Sequence, residues 1–129
     1  MIAINLQETP IFVLHIFGSE VVKNSEPKIQ FVVEQLPTMS LDGKFHLTLD
    51  LFVPELNGYK FRLLSIEHPP ALYPLSMVEN VDGKTHQITN VNGLRARFKL
   101  LLHSQTMQAI VAGLMAQMLA VRQLKNVTQ

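Results

Sequence analysis

One group of basic side chains in this sequence has a regular spacing: Arg95, Arg97 and Lys99. If the segment is a strand, a spacing of two places all three charges on one face, about 7 Å apart. With His86 on a neighbouring strand, they could bind a phosphate or a carboxylate-bearing partner. A solvated strand face is the simpler interpretation of the same residues. Nucleic-acid readers add stacking aromatic residues on the basic face, and the only nearby aromatic, Phe98, points the other way, which argues against nucleic acid.

Residue patterns for catalysis or metal binding are missing from the sequence. The chain has no cysteine, which excludes disulfides, thiolate metal ligands and cysteine nucleophiles. The common nucleotide-binding, hydrolase and metalloprotease motifs are absent. We therefore expect no catalytic residue, no metal and no cofactor. An enzyme would need a pocket in which His15 or His86 has a carboxylate within reach. The five histidines are scattered without ligand spacing: His15, His46, His68, His86 and His103.

Three segments before residue 64 alternate between apolar and polar residues and predict an antiparallel meander. Aligning their apolar faces sets Asp50 opposite Arg62 and Leu49 opposite Leu63 across one pair of strands. Across the other pair, Glu34 faces His46 and Phe31 faces Leu49. Such charge pairs could serve as acid–base groups, but exposed cross-strand pairs of this kind commonly contribute only about 0.2–1 kcal/mol to stability. A five-residue turn is expected at 54–58.

Two further turns are indicated by Asp82 with Gly83 and by Asn92 with Gly93, because these dipeptides favour tight hairpins. They predict strands at 77–81, 85–91 and 94–103, and they set His86 opposite Lys99. Before them, the proline-rich stretch 69–74 interrupts regular pairing. This stretch is either a pivot between two halves of the sheet or the rim of a pocket.

The apolar run at 11–17 has large side chains on both faces, which suits a central strand covered on each side. His15 then shares a face with Ile11, Val13 and Phe17, where a hydrogen-bonded core histidine is the simpler interpretation. Gly18 and Ser19 would form a bulge or turn after this strand.

The last quarter of the chain is the one stretch with helical spacing. Its large apolar side chains recur at intervals of three and four, and Ser104 is a suitable N-cap. The helix should run from about residue 104 to 123 or a little beyond. Arg122 and Lys125 fall in its last turn, where positive charge suits the helix dipole. The large stripe consists of Met107, Ile110, Val111, Leu114, Met115, Met118 and Val121.

The opposite face of this helix carries small residues where a surface helix would carry charges. Such residues at intervals of four allow a second backbone to approach closely. We therefore expect this face to be the contact of a homodimer or a higher oligomer, although a loop of the same chain could also cover it. The small residues are Ala109, Ala112, Gly113, Ala116 and Ala120.

Composition sets the remaining limits. The chain has 129 residues, which suits a single domain spanning 1–129 with a real core. Its net charge of +1 gives no general attraction to nucleic acid or acidic lipid.

The uncharged part of the C-terminal helix is about 18 residues long, at the lower limit for crossing a bilayer, and contains several glutamines, which argues against a membrane span. The first residues lack the pattern of a signal peptide, so a cytoplasmic location is the default expectation.

The predicted architecture is α+β: an antiparallel sheet of about six or seven strands, formed by a meander and hairpins and packed by one long C-terminal helix. In outline, a meander followed by an apolar helix resembles the subunits of SecB-type export chaperones, but no motif of that family is present and no residue role is taken from it. Two hypotheses for function follow. The first is a non-enzymatic homo-oligomeric module for interaction or assembly. The alternative is a chaperone-like module that binds an apolar ligand or an unfolded segment, with Met107, Met115 and Met118 as an adaptable wall.

Overall fold

The computed structural model describes residues 4–37 and 43–127. They form an α+β fold with one antiparallel sheet of five strands and three α-helices, which confirms the predicted class and the long C-terminal helix. The sheet has five strands rather than six or seven, because two predicted strands are helices. In chain order the elements are α1 (Pro10–Val22), β1 (Gln30–Leu36), β2 (Phe45–Val53), β3 (Tyr59–His68), β4 (Leu75–Glu79), β5 (Lys84–Ile88), α2 (Val91–Leu102) and α3 (Gln105–Val127).

The sheet is a simple meander in which each strand pairs with the next along the chain, from β1 to β5. Alternate residues of β2, the second strand of the sheet, point into the core, as their spacing of two predicts. These residues have no exposed surface: Leu47, Leu49, Leu51 and Val53. They share one hydrophobic core with apolar residues of all three helices, so the helices cover this inner face of the sheet.

The predicted register between β2 and β3 is confirmed from Asp50 onward and is off by one residue before it, and the register between β1 and β2 is off by two residues. Asp50 faces Arg62 as expected, and the Arg62 Nε donates to Asp50 Oδ1 over 3.0 Å. Leu49 faces Leu64 instead of Leu63, because the register shifts at a bulge after Leu49. Phe31 faces Leu51 instead of Leu49, so Glu34 faces Thr48 instead of His46. A shift of two keeps the same side chains in the core, which is why matching the apolar faces alone could not distinguish these registers. The segment 38–42 of the loop expected between these strands lies outside the described residues.

The turn predicted at Asp82 and Gly83 joins β4 to β5. Gly83 has φ +71°, its amide donates to Glu79 O over 2.8 Å, and the Lys84 amide donates to Asp82 Oδ1 over 2.9 Å. The strands on either side are Leu75–Glu79 and Lys84–Ile88, and their ends differ by up to three residues from the predicted bounds 77–81 and 85–91. The predicted turn at 54–58 is also present, with a short 3-10 helix (Pro54–Leu56) followed by Asn57 and Gly58 at positive φ.

The run at 11–17 is helical, not a strand. Thr9 is the N-cap of α1, its hydroxyl accepts from the Phe12 amide over 3.3 Å, and Pro10 occupies the first helical turn. A short apolar run suits a buried helix as well as a buried strand. Gly18 lies inside the helix, where a Cβ would come within 2.5 Å of the Phe31 ring on β1. Its missing side chain therefore lets α1 approach the sheet, and His15 is exposed beside the same ring rather than buried.

The segment predicted as a strand at 94–103 is mostly helix α2. Asn90 is its N-cap, and the Asn90 Oδ1 accepts from the Gly93 amide over 2.8 Å. Asn92 and Gly93 therefore lie in the first turn of a helix instead of forming a hairpin. The buried positions Leu94, Phe98 and Leu101 follow the helical period.

Helix α3 begins as predicted, since the Ser104 hydroxyl accepts from the Met107 amide over 3.1 Å. Its large stripe faces the core, with Met107, Leu114 and Met118 buried. The helix lies along the end of the sheet where β1 begins and β2 turns into β3. Two contacts hold it there: the Glu26 amide approaches Met115 Sδ at 3.2 Å, and Arg122 donates to Glu55.

The proline-rich stretch at 69–74 connects β3 to β4. The Tyr73 hydroxyl donates to Glu8 O over 2.8 Å and so anchors the segment before α1. Burial raises the pKa of Tyr73 above its ordinary value. The described contacts therefore favour a structural connection between two parts of the chain over the rim of a pocket.

Candidate functional site

The predicted basic cluster is divided between two places, because α2 is a helix. Residues four apart share a helix face, whereas residues two apart do not. Arg95 and Lys99 therefore lie together on an exposed face, and Arg97 points toward the sheet. His86 meets Arg97 rather than Lys99, through a carboxylate that the sequence analysis did not single out, that of Glu79.

Glu79 is the centre of this buried charge cluster. Its carboxylate has no exposed surface, and it accepts from Arg97 Nε over 2.5 Å and from Arg97 Nη2 over 2.7 Å. The hydrogen bonds from Arg97 to Glu79 raise the pKa of Arg97 further above its ordinary value, so the guanidinium stays charged. His86 Nε2 lies 3.3 Å from Glu79 Oε2. The hydrogen bonds between Arg97 and Glu79 link α2 to the end of β4.

This cluster is the arrangement that comes nearest to a metal or acid–base site among the described residues. Glu79, Asp82 and His86 offer ligand atoms within 4.8 Å of one another. A cation there would have to displace the Arg97 guanidinium, which already occupies both oxygens of Glu79. His86 Nε2 is buried beside Glu79 without a hydrogen-bond partner among the described residues. The geometry is that of a structural clamp between a helix and the sheet.

A surface groove lies between α1 and α2, which run side by side in the same direction. Phe17 and Phe98 form its floor, with ring centroids 4.4 Å apart and planes inclined by 8°. Val13, Ile16 and Leu102 complete an apolar lining around a volume of about 310 Å³. A second hollow of about 260 Å³ continues the groove toward Gln7 and Phe12. No single sequence signal could have found this groove, since it exists only if both flanking segments are helices.

The two walls of this α1–α2 groove differ in character. The α1 wall carries large apolar side chains in contact with water: Ile16 is 50% exposed and Phe12 is 41% exposed. The α2 wall carries Arg95, Lys99 and, just after the helix, His103, at intervals of four residues. Arg95 also donates to Gln7 O over 3.0 Å. Two residues of the predicted contact, Arg95 and Lys99, thus lie together on the rim of a groove.

The outward face of α3 is exposed along its whole described length. Nothing lies within 4 Å of the position where a Cβ at Gly113 would be. The Gln117 amide folds back and donates to Gly113 O over 3.3 Å. Leu119, on the same side, is 52% exposed. All five residues predicted to form the oligomer contact are exposed here: Ala109, Ala112, Gly113, Ala116 and Ala120.

By length and composition, α3 could cross a bilayer between Gln105 and Asn126. The contacts of α3 place it on the domain instead. Met107, Leu114 and Met118 belong to the core of the domain, and Arg122 forms an ion pair with Glu55 on the β2–β3 turn. The helix is therefore packed on the domain by one face and uncovered on the other.

The outer face of the sheet carries charged cross-strand pairs and a shallow hollow of about 180 Å³. Asp50 pairs with Arg62, and Glu67 lies between Lys44 Nζ at 3.3 Å and His46 Nδ1 at 3.7 Å. The Thr48 hydroxyl is buried at the base of the hollow without a protein partner among the described residues.

No known protein family, characterised protein or solved structure matches this chain.

Proposed function

We propose that this protein is a non-enzymatic homo-oligomeric module for interaction or assembly, and that two copies meet through the outward face of α3. The observation that carries the proposal is the absence of charged side chains between Gln105 and Val121 on a helix whose outward face is exposed in the single chain. A helix that stays in water usually carries charges on its outer face.

The other two helices provide the comparison within the same molecule. The exposed face of α1 includes Glu20 and is followed by Lys23 at the C-cap, and the exposed face of α2 includes Arg95 and Lys99. The uncharged part of α3 is about 25 Å long, since each helical residue adds about 1.5 Å. An apolar, uncharged surface of this length is typical of a protein contact rather than of a free surface.

The small side chains suit a contact between two copies of the same helix. In a two-fold dimer each helix presents the same surface to its partner. With Gly113 at the crossing and Ala109 and Ala116 on either side, the two backbones can approach closely without steric conflict. Gln108 and Gln117 at the margins can supply hydrogen bonds without the desolvation cost of buried charges.

The alternative hypothesis is a binding module for an apolar ligand or an unfolded segment, with Met107, Met115 and Met118 as an adaptable wall. Met118 is fully buried in the core, so it does not belong to such a wall. Met107 and Met115 line a surface hollow of about 380 Å³ between the end of α1 and α3. The α1–α2 groove is a second apolar surface that favours a binding function.

The substitution Gly113→Leu tests the proposal because it separates folding from assembly. Leucine has room in the single chain and removes a helix-interior glycine, which should stabilise the helix by about 1 kcal/mol. We expect light scattering to give a dimer or larger for the wild type and a monomer for Gly113→Leu. The fold of the monomeric variant should not have a reduced melting temperature.

Ala96→Leu is the matched control, since it adds the same side chain to an exposed position of α2 and should leave the assembly intact. A wild-type protein that is monomeric would overturn the proposal. An assembly that survives both Gly113→Leu and Ala116→Arg would place the contact on another surface. Binding of the wild type to vesicles through α3 would replace self-association by membrane insertion.

A further inference from the structure

We infer that the α1–α2 groove is a docking site for an amphipathic helix of another protein, one that carries acidic side chains along one flank of its apolar stripe. The inference goes beyond self-association through α3 and does not depend on it, because the two surfaces share no residue.

The shape of the groove fits a helix. Its floor of stacked rings and its aliphatic lining lie between two helices that run side by side, with ends marked by Arg95 near Gln7 and by His103 near Glu20. A third helix laid between two others buries an apolar stripe of residues at intervals of three and four. The exposed Ile16 and Phe12 would then be covered.

The basic rim indicates the charge of the occupant. Arg95, Lys99 and His103 follow one another every fourth residue, so successive side chains lie about 6 Å apart along the helix. In a second helix packed alongside, acidic residues at every fourth position would also be about 6 Å apart. Each acidic side chain could then pair with one basic side chain across the edge of the groove, where electrostatic complementarity gives specificity and speeds association.

The same charge pattern argues against the other occupants. Among the described helices of this chain, α1 has Glu20 as its one acidic residue, and α2 and α3 have none, so a second copy cannot supply the acidic row. A fatty acid has one carboxylate and would pair with only one side chain of the rim. A nucleic acid would leave Phe12 and Ile16 in water.

The inference is tested with a synthetic helical peptide of about five turns, with leucines at helical spacing and glutamate at every fourth position along one flank. A second peptide has lysine at each glutamate position, and dodecanoate represents a lipid ligand. Fluorescence anisotropy with labelled peptide measures binding to the intact protein, and displacement by dodecanoate measures lipid binding.

We expect the acidic peptide to bind the wild type and the basic peptide to fail. Lys99→Glu should weaken binding about tenfold or more, which corresponds to 1.4 kcal/mol. Lys28→Glu, the same charge reversal at an exposed position outside the groove, should change it little. Ile16→Ser should weaken binding of the same peptide through loss of apolar contact, and Gly113→Leu should leave binding unchanged whatever the oligomeric state.

Three results would overturn the inference. The two peptides could bind equally well, the Lys99→Glu protein could bind the acidic peptide as tightly as the wild type, or dodecanoate could bind where neither peptide does. The last result would identify the groove as a lipid site.

Discussion

Arg97 on α2 donates through both Nε and Nη2 to the carboxylate of Glu79 on β4, which is fully buried. Breaking such a pair leaves an uncompensated buried charge, whereas forming it adds little net stability. The pair therefore serves chiefly to fix where α2 lies on the sheet, and with α2 one wall of the groove.

Arg97→Ala should lower the free energy of unfolding by about 3 kcal/mol, the lower end for a broken buried pair because Arg97 itself is partly exposed. Urea denaturation measures the change. Lys99→Ala, which removes an exposed cation from the same helix, is the control and should have little effect. The account of the clamp fails if the two variants are equally stable, or if replacing Glu79 and Arg97 together by leucine is as damaging as Arg97→Ala alone.

Gly18→Ala should destabilise the protein, because the new Cβ would lie 2.5 Å from the Phe31 ring. The ring is half-buried and can shift in part, so we expect a loss of about 1–2 kcal/mol in unfolding free energy. Gly113→Ala is the matched substitution on a helix with open space around the glycine, and it should stabilise by about 1 kcal/mol. Thermal unfolding of both variants, and of Gly18→Ala combined with Phe31→Ala, tests the contact. Equal effects of the two alanines would contradict it.

Asn90→Ala should remove the N-cap of α2 and lower the unfolding free energy by about 1 kcal/mol. The Asn90 Oδ1 accepts from the Gly93 amide, and alanine cannot replace that bond. Asn92→Ala, in the exposed first turn of the same helix, is the comparison. If residues 90–94 formed a hairpin turn, Asn92 would be the sensitive position and Asn90 the tolerant one, so denaturation of the two variants distinguishes the structures.

The ion pair between Arg122 and Glu55 should make the attachment of α3 sensitive to acid. Hydrogen bonding to Arg122 lowers the pKa of Glu55 below its ordinary value of 4.5. A carboxyl with a lowered pKa in the folded state contributes stability that is fully present above its unfolded pKa and is lost as the pH falls through the folded value. Arg122→Ala should return the Glu55 pKa toward 4.5, and carboxyl NMR titration follows it. An unchanged titration in the variant would mean that the pair does not form in solution.

The parts of the fold that could be predicted are those whose apolar residues fit only one of two periods, the strand period of two or the helical period of 3.6. Phe45 to Val53 alternates too strictly for a helix, and the acid at position 50 meets the arginine at 62 as the apolar faces require. Helix α3 has no competing alternation, so its cap at Ser104 and its buried face were both predictable.

The segment of α1 is predicted as a strand because its apolar run fits a buried strand as well as a buried helix. The segment of α2 is predicted as a strand because residues four apart share a face in both structures. Leu94 and Phe98 fit either period, and the decision rests on Leu101, which is buried, against Leu100, which is exposed. The asparagines also offered two interpretations: Asn92 with Gly93 is a turn signal, but Asn90 three residues before Gly93 is a helix cap. The division of the basic cluster follows from that choice, and the groove requires in addition that α1 is a helix.

Glu79 could not be recognised in advance, because an acidic residue at the end of a strand is ordinarily solvated. Its burial depends on Arg97 arriving from a helix 18 residues later, which the alternating pattern concealed. The small face of α3, in contrast, could be identified from the spacing of its residues along the chain, and it is exposed in the single chain.

The molar mass of the unmodified protein, measured by light scattering on a sizing column across a wide range of concentrations without detergent, tests the central claim most directly. The account predicts at least twice the 14.6 kDa mass of one chain. A mass of one chain at every concentration would contradict it, since the uncharged face of α3 would then be in water.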